Sequence, residues 1–220
     1  MPSGPAAILP RTSSFPRWMR VGFWLCIVIG AAVVIRRIVA LWAPAENAPP
    51  QMAGLDAAFS SHAVLTLAHI VPALVFVGLL PFACFHRFAS ARWLERALFS
   101  LGFVVSITAY AMSRYAVGGW VERSAVLFFN MLFLYSLLRA FLYARQGASG
   151  QKQRWMARAV AILLGVATTR PVMGVFFATG PFTRLTPHQF FGIAFWIGWS
   201  INTLAIEIWL RSKKSAFLSA

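Results

Sequence analysis

Acidic residues are nearly missing from this chain: Asp and Glu together number 5, against 20 Lys and Arg. Those five lie far apart in sequence, so no carboxylate pair is set up for acid–base work. Neither a His-Glu-x-x-His nor a Gly-x-Ser-x-Gly stretch occurs, which removes the zinc-peptidase and serine-hydrolase patterns. Cysteine is scarcer still. Cys26 and Cys84 lack the Cys-x-x-Cys spacing of a zinc or dithiol site and read as small apolar residues. Charge of both signs makes up 11% of the chain, where a soluble domain carries about a quarter. An ordinary water-soluble domain is thereby excluded.

What fills the chain instead is apolar sequence, 60% of all residues, gathered into six runs. A helix rises about 1.5 Å per residue, so crossing a hydrocarbon core of about 30 Å takes about 20 residues. The runs from Val21 to Leu41, His62 to Phe82, Leu94 to Tyr115, Val121 to Tyr143, Met156 to Phe177 and Phe190 to Leu210 all reach that length. They are continuous and do not alternate in polarity, which predicts helices and not barrel strands. The expected fold is all-α: a polytopic membrane protein with one six-helix antiparallel bundle over residues 21–210. A basic segment, 1–20, precedes it and a basic tail, 211–220, follows.

The net charge of +15 raises a nucleic-acid partner, but the basic residues flank the apolar runs and stripe no face, so none is expected. Arg11, Arg17 and Arg20 precede the first span, and Arg87, Arg92 and Arg96 lie between the second and third. Arg145, Lys152, Arg154 and Arg158 lie between the fourth and fifth, and Arg211, Lys213 and Lys214 follow the sixth. The opposite loops carry mainly Arg114, Arg123 and Arg184, so both termini are expected in the cytoplasm. Trp18, Trp93, Trp155 and Trp209 then mark the inner interface, and Trp42 and Trp120 the outer one. Ala43-Pro44-Ala45 resembles a signal-peptide cleavage site, but Arg36 and Arg37 separate it from the apolar run, which predicts an uncleaved first span. The connection 43–61, with Pro44, Pro49 and Pro50, reads as an extended outer loop, and 146–151 as a flexible inner one without a phosphate-binding pattern.

Ionisable groups at membrane depth cost several kcal/mol unless they snorkel, pair or face a wet cavity. His69 and Arg170 each lie about two turns, roughly 10 Å, below the expected outer ends of their spans, with Arg36 and Arg37 slightly shallower. Shared depth predicts an outward-facing cationic cavity of His69, Arg170 and Arg36 for a small anionic, lipid-like or quinone-like ligand. Pro72 and Pro171 free the carbonyls of Ala68 and Ala167 nearby and predict local helix distortion there, with Thr168 or Thr169 available to re-satisfy the backbone. Glu207 precedes Arg211 by one turn, the favourable order for a helical ion pair, and Asn130 and Asn202 are expected to bond between helices.

Arg92-Trp93-Leu94-Glu95-Arg96 opens span three, Arg154-Trp155-Met156-Ala157-Arg158 opens span five, and Arg170, Asn202 and Glu207 follow. In these residues the chain resembles the bacterial predicted-membrane-protein family called domain of unknown function 2306, over roughly His62 to Arg211. Arg154, Trp155, Arg158, Asn202, Glu207 and Arg211 are then structural polar positions. Ala91 and Lys152 stand where the resemblance implies histidines, and Glu95 where it implies Gly. The resemblance implies a multi-pass protein of a bacterial inner membrane, in contact with the lipid bilayer, and carries no activity over, which leaves function open, with a non-catalytic role the expectation.

A b-type-cytochrome-like haem or quinone electron-transfer protein is the alternative reading, and a non-catalytic assembly partner a further one. Haem iron needs two axial ligands at matching depth. Only His86 lies on the inner side, and His69, His62 and His188 differ in depth on the outer side. Haem is therefore disfavoured, with His69 and His188 the weak ligand candidates.

Overall fold

The computed structural model describes residues 8–10, 15–43, 56–57, 59–84 and 91–218. Pro44, Pro49, Pro50, His86, Arg87 and Arg11 lie outside the described residues, as do the side chains of Lys213 and Lys214. The helices are α1 (Arg17–Trp42), α2 (Ala63–Cys84), α3 (Arg92–Met112), α4 (Gly119–Arg145), α5 (Ser149–Thr183) and α6 (Pro187–Leu218). A single 3-10 turn, Ser113–Tyr115, ends α3. Each helix carries a stretch long and apolar enough to cross a membrane, so the six expected spans are six observed helices.

The boundaries differ where polar sequence stays helical beyond the hydrocarbon. α5 is 35 residues long and α6 32, because charged and small residues at their ends continue the backbone hydrogen bonding that apolar length alone does not demand. The expected inner loop 146–151 is correspondingly shorter, since α5 begins at Ser149. Gly147, at φ 71°, closes α4: Ala148 N–H donates to the Tyr143 carbonyl at 3.0 Å and Gly147 N–H to that of Ala144 at 3.2 Å, a Schellman ending. Residues 56, 57, 59 and 60 are helical, where the sequence suggested extended chain. α2 and α5 remain α-helical through Pro72 and Pro171. The Thr169 hydroxyl donates to the Val166 carbonyl at 2.6 Å and the Thr168 hydroxyl to Asn202 Oδ1, so each threonine serves an acceptor other than Ala167.

In lipid, helix association rests on close packing and polar contacts more than on burial of apolar area. Helix α2 lies between α1 and α3, α3 packs on α4, α4 on α5, and α5 back on α1, which closes a ring; α6 lies across α4 and α5. The α5–α6 interface is the most extensive, and two glycines allow it. A Cβ on Gly165 would fall 2.1 Å from Cδ1 of Trp199, and one on Gly198 2.7 Å from the backbone nitrogen of Thr169. Helix α1 is held least, with Ile27 its one buried residue.

Alternate helix ends meet at two levels. One level holds Trp42, His62, Tyr115, Trp120 and His188, and is called the Trp120 end; the other holds Trp18, Trp93, Trp155 and Trp209, the Trp155 end. The Phe15 ring meets Trp209 edge-on at 4.6 Å, which ties the start of α1 to the far part of α6. Ile8 and Leu9, inside the basic N-terminal segment 1–20, are buried in the apolar core.

Candidate functional site

At the Trp120 end the ring encloses a cavity of about 250 Å³. Its walls are mostly apolar, with Val33 and Val34 from α1, Leu74 and Val77 from α2, and Phe129 and Phe133 from α4. Arg170 from α5 and His69 from α2 both line it. The shared depth inferred from sequence is therefore a shared chamber.

Arg170 sits there with little to hold. Its Nη1 reaches Met173 Sδ at 3.7 Å, a weak acceptor on its own helix, and no salt bridge among the described residues includes it. Glu122, in the first turn of α4, is buried, lines the same chamber, and accepts a hydrogen bond from Gly118 N–H at 2.5 Å. Close backbone packing fixes that turn, because a Cβ on Gly118 would lie 2.8 Å from the Gly192 nitrogen of α6. His69 Nδ1 lies 2.9 Å from Thr108 Oγ1 on α3, and that hydroxyl lies 2.7 Å from the Val104 carbonyl and 3.1 Å from that of Val105. Asn130 of α4, also in the wall, donates to the Ser106 carbonyl at 2.9 Å, the helix-to-helix bond its type suggests.

The rim is built from α1 and the residues before α2. Asp56 accepts hydrogen bonds from both Arg36 and Arg37, and the Arg37 guanidinium lies over the Phe59 ring at 4.1 Å. Arg37 and Phe59 line the cavity, and Arg36 does not. The side chains are 14% and 44% exposed respectively, so the arginine facing inward is the neighbour of the one expected. Successive residues point about 100° apart around a helix, and α1 turns Arg37 toward α2 and α5. His62 and Tyr115 complete the rim, their rings 3.6 Å apart between centroids. His188 lies beside Gly119 at the same end but outside the cavity wall, so the two weak haem-ligand candidates are not brought together. Among the described residues no group of three or more His, Cys, Asp or Glu could hold a metal ion.

Glu122 and Asp56 are the residues that sequence reasoning missed, and they change the charge of the chamber. Glu122 begins an apolar run just inside its boundary, and its signal is an acidic residue in a first helical turn at the level of Arg170. With Asp56 against Arg36 and Arg37, and Glu122 opposite Arg170 in the same chamber, the site is less cationic than the basic residues alone imply.

The structural polar positions gather toward the Trp155 end. Arg158 donates to both carboxylate oxygens of Glu207 and lies 4.5 Å from the centroid of the Trp155 ring. Arg158 on α5 thus forms an interhelical salt bridge with Glu207, a partner the sequence did not suggest. Arg154 donates to the Leu210 carbonyl at 3.2 Å. Lys152 Nζ pairs with Glu95 at 3.0 Å, so two of the three departures from the family resemblance are ion partners. Between the two levels, Asn202 donates to the Ala161 carbonyl at 3.2 Å and accepts from the Thr168 hydroxyl at 2.8 Å.

Residues 60–210 match the model of a family described as a predicted membrane protein, domain of unknown function 2306. The chain belongs to that family and is a multi-pass membrane protein of it, consistent with a place in a bacterial inner membrane. No curated protein and no solved structure matches the chain.

Proposed function

We propose that this family member binds the polar head of a small lipid-like or quinone-like molecule in the chamber at the Trp120 end, with Arg170 as its anchor. The observation that carries the reading is a guanidinium with five donors and, among the described residues, one weak sulfur acceptor in hydrogen-bond reach, inside a cavity that is otherwise largely apolar. A buried charge in a membrane bundle is costly, and an oxygen-bearing ligand would supply the missing acceptors.

Size and charge choose among ligands. A volume of about 250 Å³ is slightly below the range of about 300–1,000 Å³ usual for small-molecule sites, which suits a headgroup whose apolar remainder lies in lipid. Glu122 and Asp56 disfavour a multiply charged anion and leave a neutral or singly charged head as the better fit. The distribution of Lys and Arg supports a cytoplasmic Trp155 end and an outward-facing chamber.

Native mass spectrometry of gently solubilised protein tests this reading. The parent protein is expected to retain a small apolar molecule, and Arg170→Leu to lose it while Arg170→Lys keeps a part. An empty parent, or equal occupancy in Arg170→Leu, refutes the reading.

A further inference from the structure

The bond between His69 and Thr108 says which ring nitrogen of His69 carries the proton. Thr108 Oγ1 lies 2.7 Å from the Val104 carbonyl, the usual back-bond of a helical threonine to the residue four before it. Two oxygens at that separation repel unless a proton lies between them, so the threonine hydrogen belongs to the carbonyl. A hydroxyl has a single hydrogen to give. Toward His69 it can therefore only accept, and Nδ1, at 2.9 Å, must be the donor. In a neutral imidazole the other nitrogen, Nε2, then carries a bare lone pair.

The Val105 carbonyl, a backbone acceptor for the ring, lies 3.1 Å from Thr108 Oγ1 and so on the Nδ1 side; among the described residues no hydrogen bond reaches the Nε2 lone pair, and it is not sealed inside protein. The enclosed, unpartnered side-chain polar atoms are Ser106 Oγ, Thr203 Oγ1 and Trp209 Nε1, whereas the His69 ring lines the cavity. The chamber thus presents a donor, Arg170, and an acceptor, His69, on walls that are otherwise mostly apolar.

Building on the ligand reading above, we infer that the chamber selects a headgroup bearing a hydroxyl as well as an oxygen acceptor: a quinol or phenol in preference to the corresponding quinone. The hydroxyl donates to His69 Nε2 and the second oxygen accepts from Arg170. Thr108 does not touch the ligand; it is a positioning residue that holds the ring in the accepting tautomer. A quinone offers acceptors only. It can satisfy Arg170 but leaves Nε2 facing a carbonyl lone pair.

The test uses the full-length protein in detergent micelles with a decyl-substituted benzoquinone and its benzoquinol, the latter kept reduced under nitrogen. Binding is read from quenching of tryptophan fluorescence. The parent is expected to bind the quinol about tenfold more tightly than the quinone, the ratio that one hydrogen bond of ordinary strength supports. His69→Phe is expected to remove that ratio. Thr108→Val, which frees the ring to take either tautomer, is expected to reduce it several-fold, by weakening quinol binding and strengthening that of the quinone, to whose carbonyl an Nε2–H can donate. Should His69→Phe fail to fold, Thr108→Val decides alone.

Equal affinities in the parent, tighter quinone binding, or an unchanged ratio in Thr108→Val overturns the inference and leaves the Arg170 site standing if quinone binding still depends on Arg170. Binding of neither compound overturns both.

Discussion

The two ends of the bundle handle arginine in opposite ways. Toward the Trp155 end, Arg158 has a carboxylate from the neighbouring helix and an aromatic face beside it. In the chamber at the Trp120 end, Arg170 has a methionine sulfur. A paired charge fastens two helices together and is explained by the architecture. An under-partnered one adds cost to the fold, and it is there that a bound acceptor is proposed. The same residue type, within the same helix α5, is therefore scaffold at one level and candidate site at the other.

The most forceful way to break this comparison is to remove each arginine in turn. Arg158→Leu takes from Glu207 its partner on the neighbouring helix and also removes the contact on Trp155. Stability measured by SDS titration of micellar protein is expected to fall by about 3 kcal/mol, near the lower end for a severed buried pair because both groups keep some exposure. Arg170→Leu, in protein stripped of ligand, is expected to lie within about 1 kcal/mol of the parent, since removing a costly desolvated charge offsets the loss of the counter-charge to Glu122, which keeps its bond from Gly118 N–H. Equal losses at the two positions would erase the distinction between the ends.

A smaller effect is expected between the two levels. Asn202→Leu gives up the bonds to Ala161 and Thr168 and should cost about 1 kcal/mol in the same titration, the scale of one interhelical polar contact in a membrane. The smallest effect belongs to the rim. Arg36→Gln should change stability by less than about 0.5 kcal/mol, because its pair with Asp56 is solvent-exposed and Arg37 still holds the carboxylate.

Much of this architecture can be read from the chain before any coordinates, because spanning is a local property: about 20 apolar residues in a row satisfy the bilayer whatever their neighbours do. Partner choice is not local. Glu207 has an arginine one turn ahead on its own helix, and nothing in the sequence says that Gly165 and Gly198 let α5 come close enough to bring Arg158 to it. The same holds for Arg36 and Arg37, adjacent in sequence and separated in role by the face α1 turns inward. His69 and Arg170 were legible because depth follows from counting residues along a helix. Glu122 and Asp56 were not: one begins an apolar run, and the other precedes α2 in a stretch that reads as loop.

Helix α1 lies ahead of the segment that defines the family, yet Gly30, Val33, Val34 and Arg37 form one side of the chamber. A chain shortened to begin at residue 60 would keep Arg170, His69 and Glu122 while opening that flank to acyl tails. The first helix therefore supplies the wall that separates the chamber from the surrounding bilayer on that flank, while the other walls come from the five helices of the family segment.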